Sequence, residues 1–365
     1  MRVLYFQGVE MEAYIQGIGA VTPQKTFTGD GFLQEVMEYH NVRYLKCIEP
    51  VYNDFIDPMA SRRMSRIVKM GVCAALKCLV EAGLENPDAI ITGTGLGCIE
   101  DTEKFLGSLY TNEEQLLNPT PFIQSTHNTI AAAIALKLKC NSYNNTYVHR
   151  GFSFESALLD SMMMLQEGAA SQVLTGGMDE LTTHSFTITD RLGFWKKQAI
   201  HNLGLLNYKS KGSLAGEGIV FFVLSHQHTD KSLARISAIN TLYKPGNKAE
   251  LTDNLASFIQ QSVGGTEGID LAILGLNGDT DQDENYRQIR NSLFSEIPCA
   301  YYKHLCGEYD TSSSFALYLA AMILKEQHVP EVLKCDNKPV GKIRNVLLYN
   351  HVRNINHTML LISSC

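Results

Sequence analysis

Apolar runs and the polar breaks between them divide this chain into alternating strand-like and helix-like segments. From Met11 the text Met11-Glu-Ala-Tyr-Ile-Gln-Gly-Ile-Gly-Ala-Val-Thr-Pro predicts a short strand broken by glycines. Over residues 61–83, Met64, Ile67, Val68, Val72, Ala75, Leu76 and Leu79 recur near helical spacing, with Gly83 placed as a cap. Residues 89–97 read as a buried strand ending in glycines. The proline-bounded stretch 118–128 then feeds a helix over 129–139 that is apolar on every face, which suits a core or an interface. A strand over 172–179, a loop-rich stretch to Lys211 and a strand over 216–225 complete a first half.

The second half repeats the style. It predicts a segment opening at Arg235, a helix over 251–263, a strand over 271–277, a helix over 284–294 and a strand over 297–302. A long apolar helix over 311–325 and two closing strands, 346–351 and 357–363, follow. Strands alternating with helices mean an α/β protein with buried sheets. Two halves that each place an apolar helix after a loop suggest an internal duplication.

One junction carries candidate chemistry. The segment Asn145-Thr-Tyr-Val-His-Arg-Gly-Phe152-Ser-Phe-Glu-Ser reads as an extended stretch that turns sharply into a long apolar helix ending at Gly168. A side chain on such an elbow meets the unpaired N–H groups of a helix N-terminus, where an anion is stabilised. A cysteine there becomes a thiolate nucleophile. Here the residue is Phe152, and a phenyl ring neither ionises nor attacks.

Composition narrows the classes further. The 365 residues have a net charge of -7 and a pI near 5.9, which gives no footprint for nucleic acid. No apolar run reaches membrane-span length, so no membrane span is expected. Nine scattered cysteines without a Cys-x-x-Cys pair suit a reducing cytoplasm. Gly93-Thr-Gly-Leu-Gly97 lacks the spacing of a dinucleotide fingerprint, and His226-Gln-His228 lacks further ligands, so no cofactor and no metal are read. Leu4-Tyr-Phe-Gln-Gly8 looks like the remnant of a cleavable tag occupying residues 1–10, with Met11 as the natural start.

Five landmarks occur in a recognisable order: Ser61-Arg-Arg-Met-Ser-Arg66, Gly93-Thr-Gly-Leu-Gly97, Gly168 with Thr175-Gly-Gly-Met-Asp-Glu180, Ala215-Gly-Glu-Gly218, and Lys303-His-Leu-Cys-Gly-Glu308. Together they resemble the β-ketoacyl–acyl carrier protein synthases of the thiolase superfamily, from Met11 to the C-terminus. The resemblance implies a thiolase-like five-layered αβαβα fold built from two similar halves, 11–228 and 229–365. It also implies a dimer and a substrate chain carried on acyl carrier protein. The family's nucleophilic cysteine falls on Phe152, and its two histidines fall on Asn277 and Glu308. The family lysine survives as Lys303, while Cys306 and His149 are expected to line the old cavity beside it. His149 and Arg150 are placed to fold against Glu308. The glycine-rich closing loop is replaced by Tyr349-Asn-His-Val-Arg-Asn354.

Condensation needs a thiolate and neutral donors around an enolate. The resemblance therefore points to a chain-length-factor-type subunit. Its partner would be an active ketosynthase in fatty acyl, polyene or polyketide biosynthesis. Many chain length factors carry glutamine at the cysteine position, and phenylalanine departs from that. Two alternatives stand beside it: an active synthase with Cys306 as a displaced nucleophile, and a non-catalytic homodimer that binds an acyl chain or carrier protein.

Overall fold

The computed structural model describes residues 11–27 and 31–365, so the expected tag remnant lies outside the described residues. In the first half, β1 (Ala13–Val21), β2 (Ala89–Gly93), β3 (Tyr143–Tyr147), β4 (Gln172–Asp179) and β5 (Gly218–Ser225) stand in the order β3-β2-β4-β5-β1. In the second, β6 (Ala234–Tyr243), β7 (Leu271–Leu274), β8 (Cys299–Tyr301), β9 (Asn345–Val352) and β10 (Asn356–Ser363) stand in the order β8-β7-β9-β10-β6. Counted within its own half, each set runs third, second, fourth, fifth, first.

The strand senses agree too. β2 is parallel to β3 and β4, and β5 is antiparallel to β4 and β1. Likewise β7 is parallel to β8 and β9, and β10 is antiparallel to β9 and β6. The halves join where β1 meets β6, from Ala13 opposite Ile236 to Ile15 opposite Ala234. The duplication suggested by the sequence pattern is present in the topology.

The helices are α1 (Pro58–Ser61), α2 (Arg66–Ala82), α3 (Ile99–Thr111), α4 (Pro119–Gln124), α5 (Thr129–Leu138), α6 (Ser153–Gln166), α7 (Thr183–Arg191), α8 (Lys248–Val263), α9 (Asp283–Ser292), α10 (Lys303–Cys306) and α11 (Ser313–Glu326). Strand alternation sorts them into layers. On β5, Ile219, Phe221 and Val223 face α2 and α5, while Val220, Phe222 and Leu224 face inward. The inner layer is α6 with α11, where Phe154, Leu158, Phe315 and Leu319 meet both halves of the sheet. On the far side, Leu347 of β9 and Leu361 of β10 face α8 and α9 through Leu255 and Ile289. The result is five layers, αβαβα. Both faces of each sheet half are covered, which explains why β5 reads as one unbroken apolar run. Each fully buried phenylalanine in it contributes about 1.5–3 kcal/mol.

Some elements differ from the sequence reading. The helix expected over 61–83 is interrupted: α1 ends at Ser61 and α2 starts at Arg66, with Gly83 capping it at φ +69°. Asp57 caps α1 by accepting from the N–H groups of Met59 and Ala60, which favours a separate short turn. The stretch read as loop to Lys211 contains α7, begun by a Thr182–Ser185 capping box. No residue of α7 is buried, and only Asp101 of α3 is. Neither helix buries an apolar stripe against its own chain, so periodicity gave little warning of them. Among the described residues, no helix is long and apolar enough to cross a membrane.

Candidate functional site

Three connections converge where the two sheet halves meet the starts of the central helices. The first is the elbow between β3 and α6. Arg150 takes φ +51°, a left-handed conformation that costs a side-chain-bearing residue about 1–2 kcal/mol. A 3-10 turn over Arg150–Phe152 then leads into α6, with Phe152 at the N-cap and only 7% exposed. Phenylalanine offers no capping oxygen. The turn is held instead by Ser153, whose Oγ accepts from the His149 N–H at 2.8 Å and donates to the Thr94 carbonyl at 2.8 Å. The Phe152 ring meets His149 edge-on, with centroids 5.8 Å apart. Gly151 packs against the β9–β10 hairpin, where a Cβ would lie 2.8 Å from Val352.

The second connection follows β7. Asp283, at the start of α9, accepts from the N–H groups of Asn277 (2.9 Å) and Gly278 (3.0 Å). Burial raises the Asp283 carboxyl to about 6, against the opposing pull of these N–H bonds. Asn277 itself is fully buried, and its Nδ2 donates to Glu308 Oε2 at 2.8 Å and to Gln282 Oε1 at 3.2 Å.

The third is α10 with the residues after it. Lys303 Nζ donates to both oxygens of Glu308, at 2.9 and 2.7 Å, and to the His351 carbonyl at 3.4 Å. Lys303 is 1% exposed and Glu308 8%. Gly307, at φ +77°, lets the chain turn against Ala215, and the Glu308 N–H donates to the Leu214 carbonyl at 2.8 Å.

Asn277, Lys303 and Glu308 therefore form one hydrogen-bonded cluster, although the sequence reading named them separately. Phe152 reaches it through a shared wall: Gly151 packs on Val352, and Lys303 bonds the carbonyl of the adjacent His351. The expectation that His149 and Arg150 fold against Glu308 is corrected. Arg150 lies 3.8 Å from Asp310, His149 packs on Phe152, and the cation on Glu308 is Lys303. Lys303 won because it is five residues from Glu308 along a tight turn, whereas Arg150 is 57% exposed.

Cys306 is fully buried, and its Sγ–H donates to the Gly307 carbonyl at 3.2 Å. Burial pushes its thiol well up; Lys303 pulls the other way without overcoming it, and the nearby Glu308 adds a smaller upward push. A thiol so placed is a packed apolar group rather than a thiolate.

Other landmark residues turn out to be scaffolding. Arg66 and Glu217, from two separated motifs, form a two-armed ion pair at 2.7 and 3.1 Å. Glu217 also accepts from the N–H groups of Cys47 and Leu181, both at 2.9 Å. Burial alone would raise its carboxyl, but Arg66 and Lys46 outweigh that and hold it below the ordinary range. Asp179, ending β4, accepts from Gly95 N–H at 2.7 Å and from Thr311 N–H and Oγ1 at 2.9 and 2.8 Å. It ties the tips of β2 and β4 to the approach of α11. Burial, then the nearby Asp310, raise it to about 7.

Sequence reasoning missed a buried aromatic–histidine group beside Lys303. Tyr286 stacks on His351 at 4.3 Å, and Tyr349 Oη lies 2.9 Å from His357 Nδ1. Burial, then His357, push the His351 imidazole well below its ordinary value, so it stays neutral. The motif Tyr349-Asn-His-Val-Arg-Asn354 was the available signal. It forms the end of β9 and a tight turn, with Arg353 and Asn354 at φ +53° and +54° and the Ile355 N–H donating to the Val352 carbonyl. Two positive φ values in succession are the mark of a type I′ hairpin turn.

Residues 41–212 match the family described as beta-ketoacyl synthase, N-terminal domain. No curated protein matches the chain in sequence. Among solved structures, the ishigamide ketosynthase/chain length factor is 15% identical with a TM-score of 0.79, covering 98% of this chain and 100% of that one. A beta-ketoacyl synthase from Burkholderia phymatum STM815 is 14% identical with a TM-score of 0.75, covering 98% and 100%. The ketosynthase ApeO in complex with its chain length factor ApeC, from Xenorhabdus doucetiae, is 14% identical with a TM-score of 0.73, covering 97% and 98%. Residues 41–212 thus match the N-terminal domain of that family, and the whole chain has the fold seen in ketosynthase and chain length factor structures.

Proposed function

We propose that this chain is a chain-length-factor-type subunit, lacking the Cys-His-His machinery, that pairs with an active ketosynthase elongating a polyketide, polyene or related fatty acyl chain. One observation carries the reading. At the positions matching the family triad, Phe152 fills the α6 N-cap, and Asn277 and Glu308 are spent on each other and on Lys303. An ionised Glu308 accepts hydrogen bonds and cannot donate them to an enolate. Phe152 supplies apolar volume where a thioester would form.

The surface fits a partner. β3 is the outer strand of its half, and around it Tyr143, Val148, Phe122, Ile123 and Leu136 are exposed. Leu136 is 80% exposed on the apolar α5, and edges and patches of this kind are covered in stable assemblies. Residues 119–128 and α5 would reach the partner's tunnel from there. By analogy, acyl carrier protein delivers the growing chain to the active subunit.

The test is co-purification with a candidate ketosynthase, followed by elongation assays with an acyl carrier protein. A heterodimer whose product length shifts when Phe122 or Leu136 is replaced by Asp supports the reading. A homodimer that ignores the ketosynthase but binds the carrier protein favours the acyl-binding alternative. Covalent acylation of this chain alone, lost in Cys306→Ser, would establish a displaced nucleophile instead, against the buried and protonated state of that thiol.

A further inference from the structure

The geometry points to a divalent-metal site outside the Asn277–Lys303–Glu308 cluster, built by Glu38, His40 and His201. Two segments far apart in sequence are clamped side by side. Val42 and Ile200 exchange backbone hydrogen bonds at 3.0 and 2.8 Å, and the Asn202 N–H donates to the Tyr39 carbonyl at 3.0 Å. The Asn202 side chain locks the register: Oδ1 accepts from the Tyr39 N–H at 2.7 Å and Nδ2 donates to the His304 carbonyl at 2.9 Å. This ladder sets His40 opposite His201, their rings stacked at 4.4 Å.

Glu38 completes the group. Its Oε2 lies 3.3 Å from His201 Nε2 and 3.7 Å from His40 Nε2. Ligand atoms about 2.0–2.2 Å from a tetrahedral ion stand roughly 3.4 Å apart, so both distances are near a tetrahedral edge. All three candidate ligand atoms lie within 4.8 Å of one another. His201 Nε2 is shut off from water and has no hydrogen-bond partner. A buried ring nitrogen that faces a carboxylate and a second imidazole without a well-aligned hydrogen bond is costly. A cation between the three groups would remove that cost.

Two imidazoles and one carboxylate suit a borderline ion such as Zn²⁺, with one position left for water. The ion would clip the segment 38–42 to the 3-10 turn Asn202–Asn207. His201 lies far along the chain from the Glu38–His40 pair, which is why sequence spacing gave no metal signature.

The test uses the full chain, free of any oligohistidine tag, titrated calorimetrically with ZnCl2. One ion per chain is expected, with a zinc-dependent rise in melting temperature. His40→Ala should weaken binding by roughly tenfold or more, as loss of a ligand demands. The His40 side chain is 71% exposed, so that variant keeps the fold. Cys365→Ser, which removes the one exposed thiol, should leave binding unchanged. Co²⁺ should give visible d–d absorption that His40→Ala abolishes. No zinc binding, or binding indifferent to His40→Ala and Glu38→Gln, overturns the site and leaves only a surface ion pair.

Discussion

The β3–α6 and β8–α11 connections occupy the same place in the two repeated halves, each leading from the third strand to a helix of the central layer. They are filled by opposite means. The first holds an aromatic ring, Phe152, on a left-handed turn. The second holds a lysine–glutamate pair clasped by an asparagine from β7's exit. The lesson is energetic. An apolar filler stabilises by leaving water and needs no partner, whereas a buried ion pair holds only while both members are present.

Breaking the pair should therefore give the largest effect. Lys303→Met leaves Glu308 buried without its cation and should cost about 3–5 kcal/mol in urea unfolding. The double change Lys303→Met with Glu308→Met should recover most of that loss. Equal losses in single and double variants would mean the pair is not the unit. Phe152→Ala should cost about 3 kcal/mol through the cavity it opens. In the proposed complex with an active ketosynthase, the same variant should alter product length. Asn277→Ala removes one charge-assisted bond to Glu308 and should cost about 1.5–3 kcal/mol by thermal melts.

The remaining effect is a pH dependence beside the elbow. Glu155 of α6 is buried. Its Oε1 accepts from Ser313 Oγ at 2.6 Å and Thr358 Oγ1 at 2.9 Å, and its Oε2 has no partner. Burial raises its carboxyl from 4.5 to about 7, despite those hydroxyls. The folded state thus holds the proton more tightly than the unfolded chain between about 4.5 and about 7, and this group's contribution falls as pH rises through that window. Glu155→Gln should be stabilising near pH 8 and close to neutral near pH 4. A difference that does not change with pH would refute the shifted carboxyl.

Much of the fold was legible in the chain because it depends on local pattern. The interior strand β5 reads apolar throughout, and α11 buries nearly every residue, so both announced themselves. By contrast α3 and α7, which bury almost nothing within the chain, did not. The site was half legible. Phe152, Asn277, Lys303 and Glu308 were each singled out, yet Glu308's cation was misassigned to the elbow.

By itself, the sequence determined the buried strands and the core helices, though not α3 and α7, how they alternate in two similar halves, and that no thiol stands at Phe152. Periodicity and residue chemistry are local properties, readable one segment at a time. Tertiary structure alone decided that Glu308 pairs with Lys303 and Asn277, that Arg66 meets Glu217, and that His40 faces His201. Charge pairing falls steeply with distance and desolvation, and both are set only when the folded sheet brings distant residues within reach.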